Sequence, residues 1–246
     1  MTYALYLMDC YIKEFDAVVV RVSDDGLEIV LDKTAFYPTS GGQPNDTGII
    51  TITDGTTADG AVFNVVDVLK KDGEIIHKLD RTGIVIGNKV HGSIDWERRY
   101  MLMKYHTASH MLSTFINRET GAEITGNQLY LDKARVDFSL ENFDRTQMQG
   151  FEHKVNSIIA KNLPVAFRIL VREDAFKIPA LVKLRKQLPE TIKDIRIVDI
   201  GNDEFDFDHQ ACGGAHLRST SEIGKIEIYD LENKGRERRR IYFRLV

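Results

Sequence analysis

Six short, β-branched segments follow one another within the first 93 residues, and this spacing constrains the fold more than any other feature. They are Ala17 to Val22, Leu27 to Leu31, Gly48 to Thr53, Ala61 to Leu69, Glu74 to Leu79 and Lys89 to Asp95, most of them separated by Asp-Gly, Gly-Gly or Thr-Gly turn signals. Strands this close together, with little helical pattern between them, favour a small barrel.

At Asp95 the period changes from two to that of a helix. Asp95 can cap Trp96 to Glu119, where Trp96, Tyr100, Met103 and Thr107 lie near one stripe and Gly121 supplies a stop signal. Two strands, Glu123 to Leu131 and Ala134 to Ser139, come next. A second helix over Arg145 to Lys161 places Met148, Phe151, Val155 and Ile158 at i, i+3, i+7 and i+10. Val165 to Val171, Ile195 to Ile200, Gly224 to Tyr229 and Arg240 to Leu245 read as further strands. The expected fold is α+β: a β-barrel domain over 1–93, then an α+β domain over 94–246 with helices set against a mostly antiparallel sheet.

Charge divides the chain at the same place. The whole sequence has a formal net charge of −4, yet residues 1–93 carry 8 basic against 14 acidic groups and residues 94–246 carry 25 against 23. This excludes indiscriminate, highly basic nucleic-acid binding but leaves a local basic track open. Two cysteines, Cys10 and Cys212, are too few for a disulfide framework and fit a reducing compartment. No apolar run approaches the roughly 20 residues of a membrane helix, and the N-terminus lacks a basic segment followed by an apolar one. A soluble, cytoplasmic protein without membrane partners is expected.

Two short motifs carry chemistry. In His106-Thr-Ala-Ser-His110 the imidazoles stand four apart on a helix, so both leave one face and can share a cation. Taken alone, such a pair is more often packing or surface. In Cys212-Gly-Gly-Ala-His216 a flexible turn lets a thiol and an imidazole converge. Together the pairs supply three nitrogens and one sulfur, a set suited to one tetrahedral Zn²⁺ per chain. A separation of about a hundred residues excludes a zinc finger, and Thr107 stands where His-Glu-x-x-His requires Glu. Four protein ligands resemble a structural site, whereas catalysis needs a vacated or fifth position; the sequence leaves both readings open.

These residues resemble a known family. His106-Thr-Ala-Ser-His110-Met-Leu and Cys212-Gly-Gly-Ala-His216-Leu-Arg-Ser-Thr-Ser-Glu-Ile-Gly224 look like the paired zinc motifs of the alanyl-tRNA synthetase editing domain and its free-standing relatives, the AlaX proteins. Ala35-Phe-Tyr-Pro-Thr-Ser-Gly-Gly-Gln-Pro-Asn-Asp-Thr-Gly48 is similar to the glycine-rich segment preceding that domain, and the length is that of the medium-sized AlaX class. Arg135-Val-Asp-Phe-Ser139, Val155-Asn156, Arg172-Glu173, Leu188-Pro189 and Ile195-Arg-Ile-Val198 fall in the family's order. The resemblance implies trans-editing, the hydrolysis of the ester joining a wrong amino acid, chiefly serine and also glycine, to tRNA(Ala). It carries over His106, His110, Cys212 and His216 as zinc ligands. Thr125 and Gln128, in Thr125-Gly-Asn-Gln128, lie where the family has polar pocket residues, and a polar strand start is an equal account of them.

Two rival readings stand beside this one: an acceptor-stem binding module with a purely structural zinc, and an editing hydrolase for mischarged tRNA(Thr). Gly41-Gly42-Gln43 invites comparison with the ester-hydrolysing tripeptide of peptide-release factors, but its β-rich setting favours a turn. For the acceptor end of tRNA, residues 168–196 and 230–246 form two basic segments, with net charges of +4 and +3.

Overall fold

The computed structural model describes residues 2–55, 58–141, 145–178 and 192–246. The chain divides into two compact units, Met1–Met103 and Lys104–Val246.

In the first unit, six strands form a closed barrel: β2 (Glu14–Val22), β3 (Glu28–Leu31), β5 (Gly48–Ile52), β6 (Val62–Lys71), β7 (Glu74–Leu79) and β8 (Lys89–Ile94), in the order β2-β3-β7-β6-β5-β8. Every pairing around it is antiparallel. Alternation produces the core: along β2, Phe15, Ala17 and Val19 are buried while their neighbours face out. Closure leaves no unpaired edge in this sheet. A two-residue parallel pair, β1 (Tyr3–Ala4) with β4 (Lys33–Thr34), is too short to leave a period in the sequence.

The glycine-rich segment is tied down from inside. Arg99, in the first turn of helix α1 (Trp96–Thr120), and Asp46 are both fully buried, and Arg99 Nε donates to Asp46 Oδ1 at 3.0 Å. The same guanidinium donates to the carbonyls of Cys10 at 2.8 Å and Ala35 at 2.6 Å, so one side chain gathers two backbone carbonyls and the Asp46 carboxylate. Asp46 in turn accepts from Tyr37 N at 2.6 Å. Gly41 and Gly42, at φ +57° and +81°, make the two-residue turn between Ser40 and Gln43 that the sequence suggests. Asp95 caps α1 as expected, its Oδ1 accepting from Arg98 N at 3.1 Å, and Gly121 N returns to Asn117 O at its end.

The second unit is α+β, and its strands form two antiparallel sheets where the sequence suggested one. One sheet has the order β14-β15-β10-β9, from β9 (Ile124–Leu129), β10 (Ala134–Phe138), β14 (Ile226–Asn233) and β15 (Arg239–Leu245). Its core face presents Leu129, Val136, Phe138, Ile241 and Phe243, all fully buried. Helix α2 (Arg145–Ile159) buries the four residues expected from its period, Met148, Phe151, Val155 and Ile158, with Phe151 edge-on to Phe115 of α1. The other sheet is β11 (Val165–Val171), β12 (Asp194–Gly201) and β13 (Asp206–Ala211), with a one-turn helix, α3 (Arg172–Ala175), after β11. β13 was not expected: Asp-Phe-Asp-His-Gln-Ala shows no apolar alternation.

Candidate metal centre

The two short motifs meet in the second unit. His106 and His110 lie on α1, one turn apart, and Cys212 and His216 lie on the loop leaving β13; their four ligand atoms fall within 4.8 Å of one another. Cys212 Sγ stands 3.5 Å from His106 Nε2 and 3.4 Å from His216 Nε2. Metal–ligand bonds of about 2.0–2.1 Å to nitrogen and 2.3 Å to sulfur imply a tetrahedral N···S edge of about 3.6 Å. The two N···S edges are close to that value, and the set of one thiol and three imidazoles is one that could hold a metal ion. All three histidines are buried, and Cys212 is half-buried.

Three features of the local fold aim these side chains. His110 Nδ1 lies 3.0 Å from Asp208 Oδ2, which makes that nitrogen the protonated one and turns Nε2 toward the cluster. Asp208 is itself buried and held by Thr114 Oγ1 at 2.8 Å and Gln210 Nε2 at 3.1 Å. Thr107, between the two helix histidines, faces His216 Nδ1 at 3.2 Å and accepts from Leu217 N at 3.2 Å, joining the loop to the helix. Arg196 on β12 donates to the carbonyls of Cys212 and Gly214 at 2.8 and 3.1 Å. Gly214 N donates to Cys212 Sγ at 3.3 Å, and a Cβ on Gly214 would lie 2.0 Å from His106 Cε1. The second glycine of the motif is therefore required by the close approach of a histidine ring, in addition to the flexibility read from the sequence.

As titrating groups the cluster favours negative sulfur and a positive centre among the rings. Burial works against the Cys212 thiolate, but His106 and His216 beside it hold the thiol well below its usual range. Burial pushes His216 down to about 3, reinforced by the charge of His106. His110 rises to about 10, because hydrogen bonds to Asp208 and Cys212 outweigh its burial. A bound cation replaces these protons as the partner of the thiolate.

Thr125 and Gln128 lie on a different element, the outer strand β9; Thr125 is exposed and Gln128 is half-buried, its Nε2 donating to Leu129 O at 3.3 Å. Much of the basic charge is used internally. Arg168 pairs with Asp199, Lys177 with Asp174, Arg240 with Asp137 and Arg244 with Glu227, while Arg196 serves the metal loop. Lys183, Arg185 and Lys186, together with Leu188-Pro189, lie outside the described residues. No helix of the described residues is long and apolar enough to cross a membrane. Asp208, Thr107, Arg196 and Gly214 were not singled out from sequence as parts of this centre. Only the position of Thr107 between the two histidines hinted at any of them.

Known proteins resemble the chain over two segments and across its length. Residues 7–98 match tRNA synthetases class II (A), and residues 195–242 match the threonyl and alanyl tRNA synthetase second additional domain. The alanyl-tRNA editing protein AlaX-M of Methanosarcina barkeri is 47% identical over 251 residues, covering 100% of both chains. AlaX-M of Saccharolobus solfataricus is 42% identical over 99% of this chain and 98% of its own. The alanine–tRNA ligase of Pyrobaculum aerophilum is 39% identical over 94% of this chain, which corresponds to 25% of the ligase. With identity of this order running end to end through both partners, the chain belongs to the AlaX-M family of alanyl-tRNA editing proteins.

Proposed function

We propose that the chain is a trans-editing deacylase that hydrolyses the ester of mischarged tRNA(Ala), chiefly Ser-tRNA(Ala) and also Gly-tRNA(Ala), in the cytoplasm. The observation that carries this reading is the convergence of four ligand atoms within 4.8 Å, from two motifs on distant segments, in a chain similar throughout to proteins named for alanyl-tRNA editing. His106, His110, Cys212 and His216 hold Zn²⁺. Bound there with a fifth position open, the ion would supply Lewis-acid chemistry for holding the substrate.

The chain's own residues do the rest. Asp208 and Thr107 fix the planes of His110 and His216, and Arg196 keeps the Cys-Gly-Gly loop from swinging away from α1. An aminoacyl ester is already labile, so a rigid frame and stabilisation of the developing oxyanion suffice without a strong base. Thr125 and Gln128 on β9 are the proposed contacts to the amino acid. Polar groups that hydrogen-bond the serine hydroxyl are left unpaired when alanine enters, which spares the correct product.

The test is deacylation of Ser-tRNA(Ala), Gly-tRNA(Ala), Ala-tRNA(Ala) and Ser-tRNA(Thr) by the wild type and by Cys212→Ala, with elemental analysis of the purified protein. The expected result is rapid loss of serine and glycine from tRNA(Ala), sparing of alanine, one zinc per chain, and loss of both zinc and activity in the variant. No loss of serine above the uncatalysed rate makes the chain a binding module; preference for Ser-tRNA(Thr) makes it a threonine-tRNA editor.

A further inference from the structure

The β14–β15 hairpin ends in a five-residue loop, Lys234-Gly-Arg-Glu-Arg238, which lies fully exposed. Loops of this kind are commonly loose, but this one is closed and pinned. Lys234 N donates to Arg238 O at 3.0 Å, and Gly235 N donates to Asn233 Oδ1 at 3.0 Å. Arg239, at the foot of β15, sends Nη1 to Asn233 Oδ1 at 3.0 Å, to Gly235 O at 2.6 Å and to Arg238 O at 3.0 Å. Its Nη2 reaches Glu141 O, fastening the hairpin to the chain that leaves β10. Lys234 is paired with Glu232.

The guanidinium groups of Arg236 and Arg238 have a different setting. Both residues are exposed, and among the described residues neither forms an ion pair in contact, although the charge of Arg238 is among those that lower the pKa of Asp137. They flank Glu237 on a loop whose backbone is fixed by a third arginine. Two exposed guanidiniums free of contact ion pairs, on a backbone held by hydrogen bonds, need less ordering on meeting a ligand, and guanidinium matches phosphate oxygens in a bidentate manner.

The strand direction sets how far these arginines lie from the metal centre. Phe243, five residues along β15 from Arg238, packs on Tyr105, the residue preceding His106. At strand rise, Arg238 is about 17 Å from that contact. The loop is therefore remote from the bond to be broken but within reach of the same tRNA.

Resting on the editing reading above, we infer that Arg236 and Arg238 form a preorganised prong that binds the phosphate backbone of the tRNA, away from the metal centre. Its contribution is to affinity and registration, without base readout. Arg239 is a positioning residue for this prong.

The experiment compares wild type, Arg236→Ala/Arg238→Ala and Arg236→Lys/Arg238→Lys. It measures binding of uncharged tRNA(Ala) by fluorescence anisotropy across a salt series, and deacylation of Ser-tRNA(Ala). For the alanine pair the expected result is a log–log salt slope shallower by about 2, affinity about tenfold weaker near 0.1 M salt, and KM raised by a similar factor with kcat unchanged. The lysine pair keeps most of the slope, and melting temperatures of all three agree because both side chains are exposed. Wild-type affinity in the alanine pair, or weaker binding with an unchanged slope, overturns the prong. A wild type that neither binds nor deacylates the tRNA overturns the editing reading instead.

Discussion

Replacing Gly214 by Ala tests the metal centre with a single methyl group. The new Cβ would sit 2.0 Å from His106 Cε1 and 2.5 Å from His106 Nδ1. Ordinary contacts between such atoms are about 3.5–4.0 Å, so the ring or the loop must retreat by about 1.5 Å or more. Ligand distances at zinc tolerate deviations of about 0.2 Å, so the required movement is several times what coordination allows. The loop cannot move freely either, since Arg196 holds the carbonyls on both sides of the Gly213–Gly214 segment. The overpacking strain, typically about 1–3 kcal/mol, therefore falls on the His106 ligand. We expect Gly214→Ala to weaken Zn²⁺ binding at least about 100-fold, the upper range seen when even an outer partner of a ligand is lost. Competition against a chromophoric chelator reads this directly. Gly150→Ala is the control: nothing lies within 4 Å of its Cβ, it is on the exposed side of α2, and helix propensity makes it stabilising by up to about 1 kcal/mol. Wild-type zinc affinity in Gly214→Ala refutes the argument, because it would mean that His106 can shift and still bind.

Further perturbations follow the same physics. Asp208→Ala leaves His110 without the partner that sets its tautomer and should lower zinc affinity about 10- to 100-fold in the same chelator assay, and an unchanged constant removes Asp208 from the centre. Asp46→Ala strands a fully buried Arg99 and should cost about 3–5 kcal/mol in urea unfolding followed by Trp96, the chain's one tryptophan; a cost below 1 kcal/mol refutes the role given to this pair. His77 is buried in the barrel between Thr34 Oγ1 and Ile29 O, and burial lowers it to about 4 from an unfolded value near 6.5. The unfolded state binds the extra proton in this window, so the stability His77 confers is complete above about pH 6.5, falls as the pH drops toward 4 and levels off below. The loss is on the order of 3 kcal/mol. Its signature is the difference between wild-type and His77→Gln urea curves, and parallel pH profiles would count against it.

Much of this fold could be read from periodicity because the barrel strands alternate cleanly and the helices are bounded by their own chemistry. Phe15, Ala17 and Val19 point in at every second residue, and Asp95 caps α1 through the bond its residue type suggests. β13 escaped because its buried positions include Asp208, a polar residue whose burial is justified only by His110, 98 residues away, and by its two other partners. The separation of the second unit into two sheets escaped for a related reason: pairing partners are set by long-range packing that strand propensity does not encode. At the centre, the convergence of His106, His110, Cys212 and His216 was legible because metal chemistry pairs particular residue types at short spacing. Their supports were not, since Thr, Arg and Asp at those positions have ordinary surface roles in most chains. Gly214 shows the limit from the other side. The sequence suggests a turn, and the structure adds that the missing side chain is the space a ligand ring occupies.

All four residues of the candidate metal centre belong to Lys104–Val246, and His106 is 106 positions from Cys212. A cation gripping both ends acts on the unfolded chain as a cross-link would, by forbidding the many conformations in which those ends are far apart. For a loop of about 100 residues that restriction is worth on the order of 4–5 kcal/mol in the chain-entropy picture. The barrel, whose described residues contribute nothing to the cluster, lies outside that loop. On the proposed zinc site, withdrawing the ion would remove that restraint from Lys104–Val246 and leave the strand pairings of the barrel untouched. Along helix α1 the polypeptide passes from a unit that holds none of the four cluster residues into the unit that holds them all.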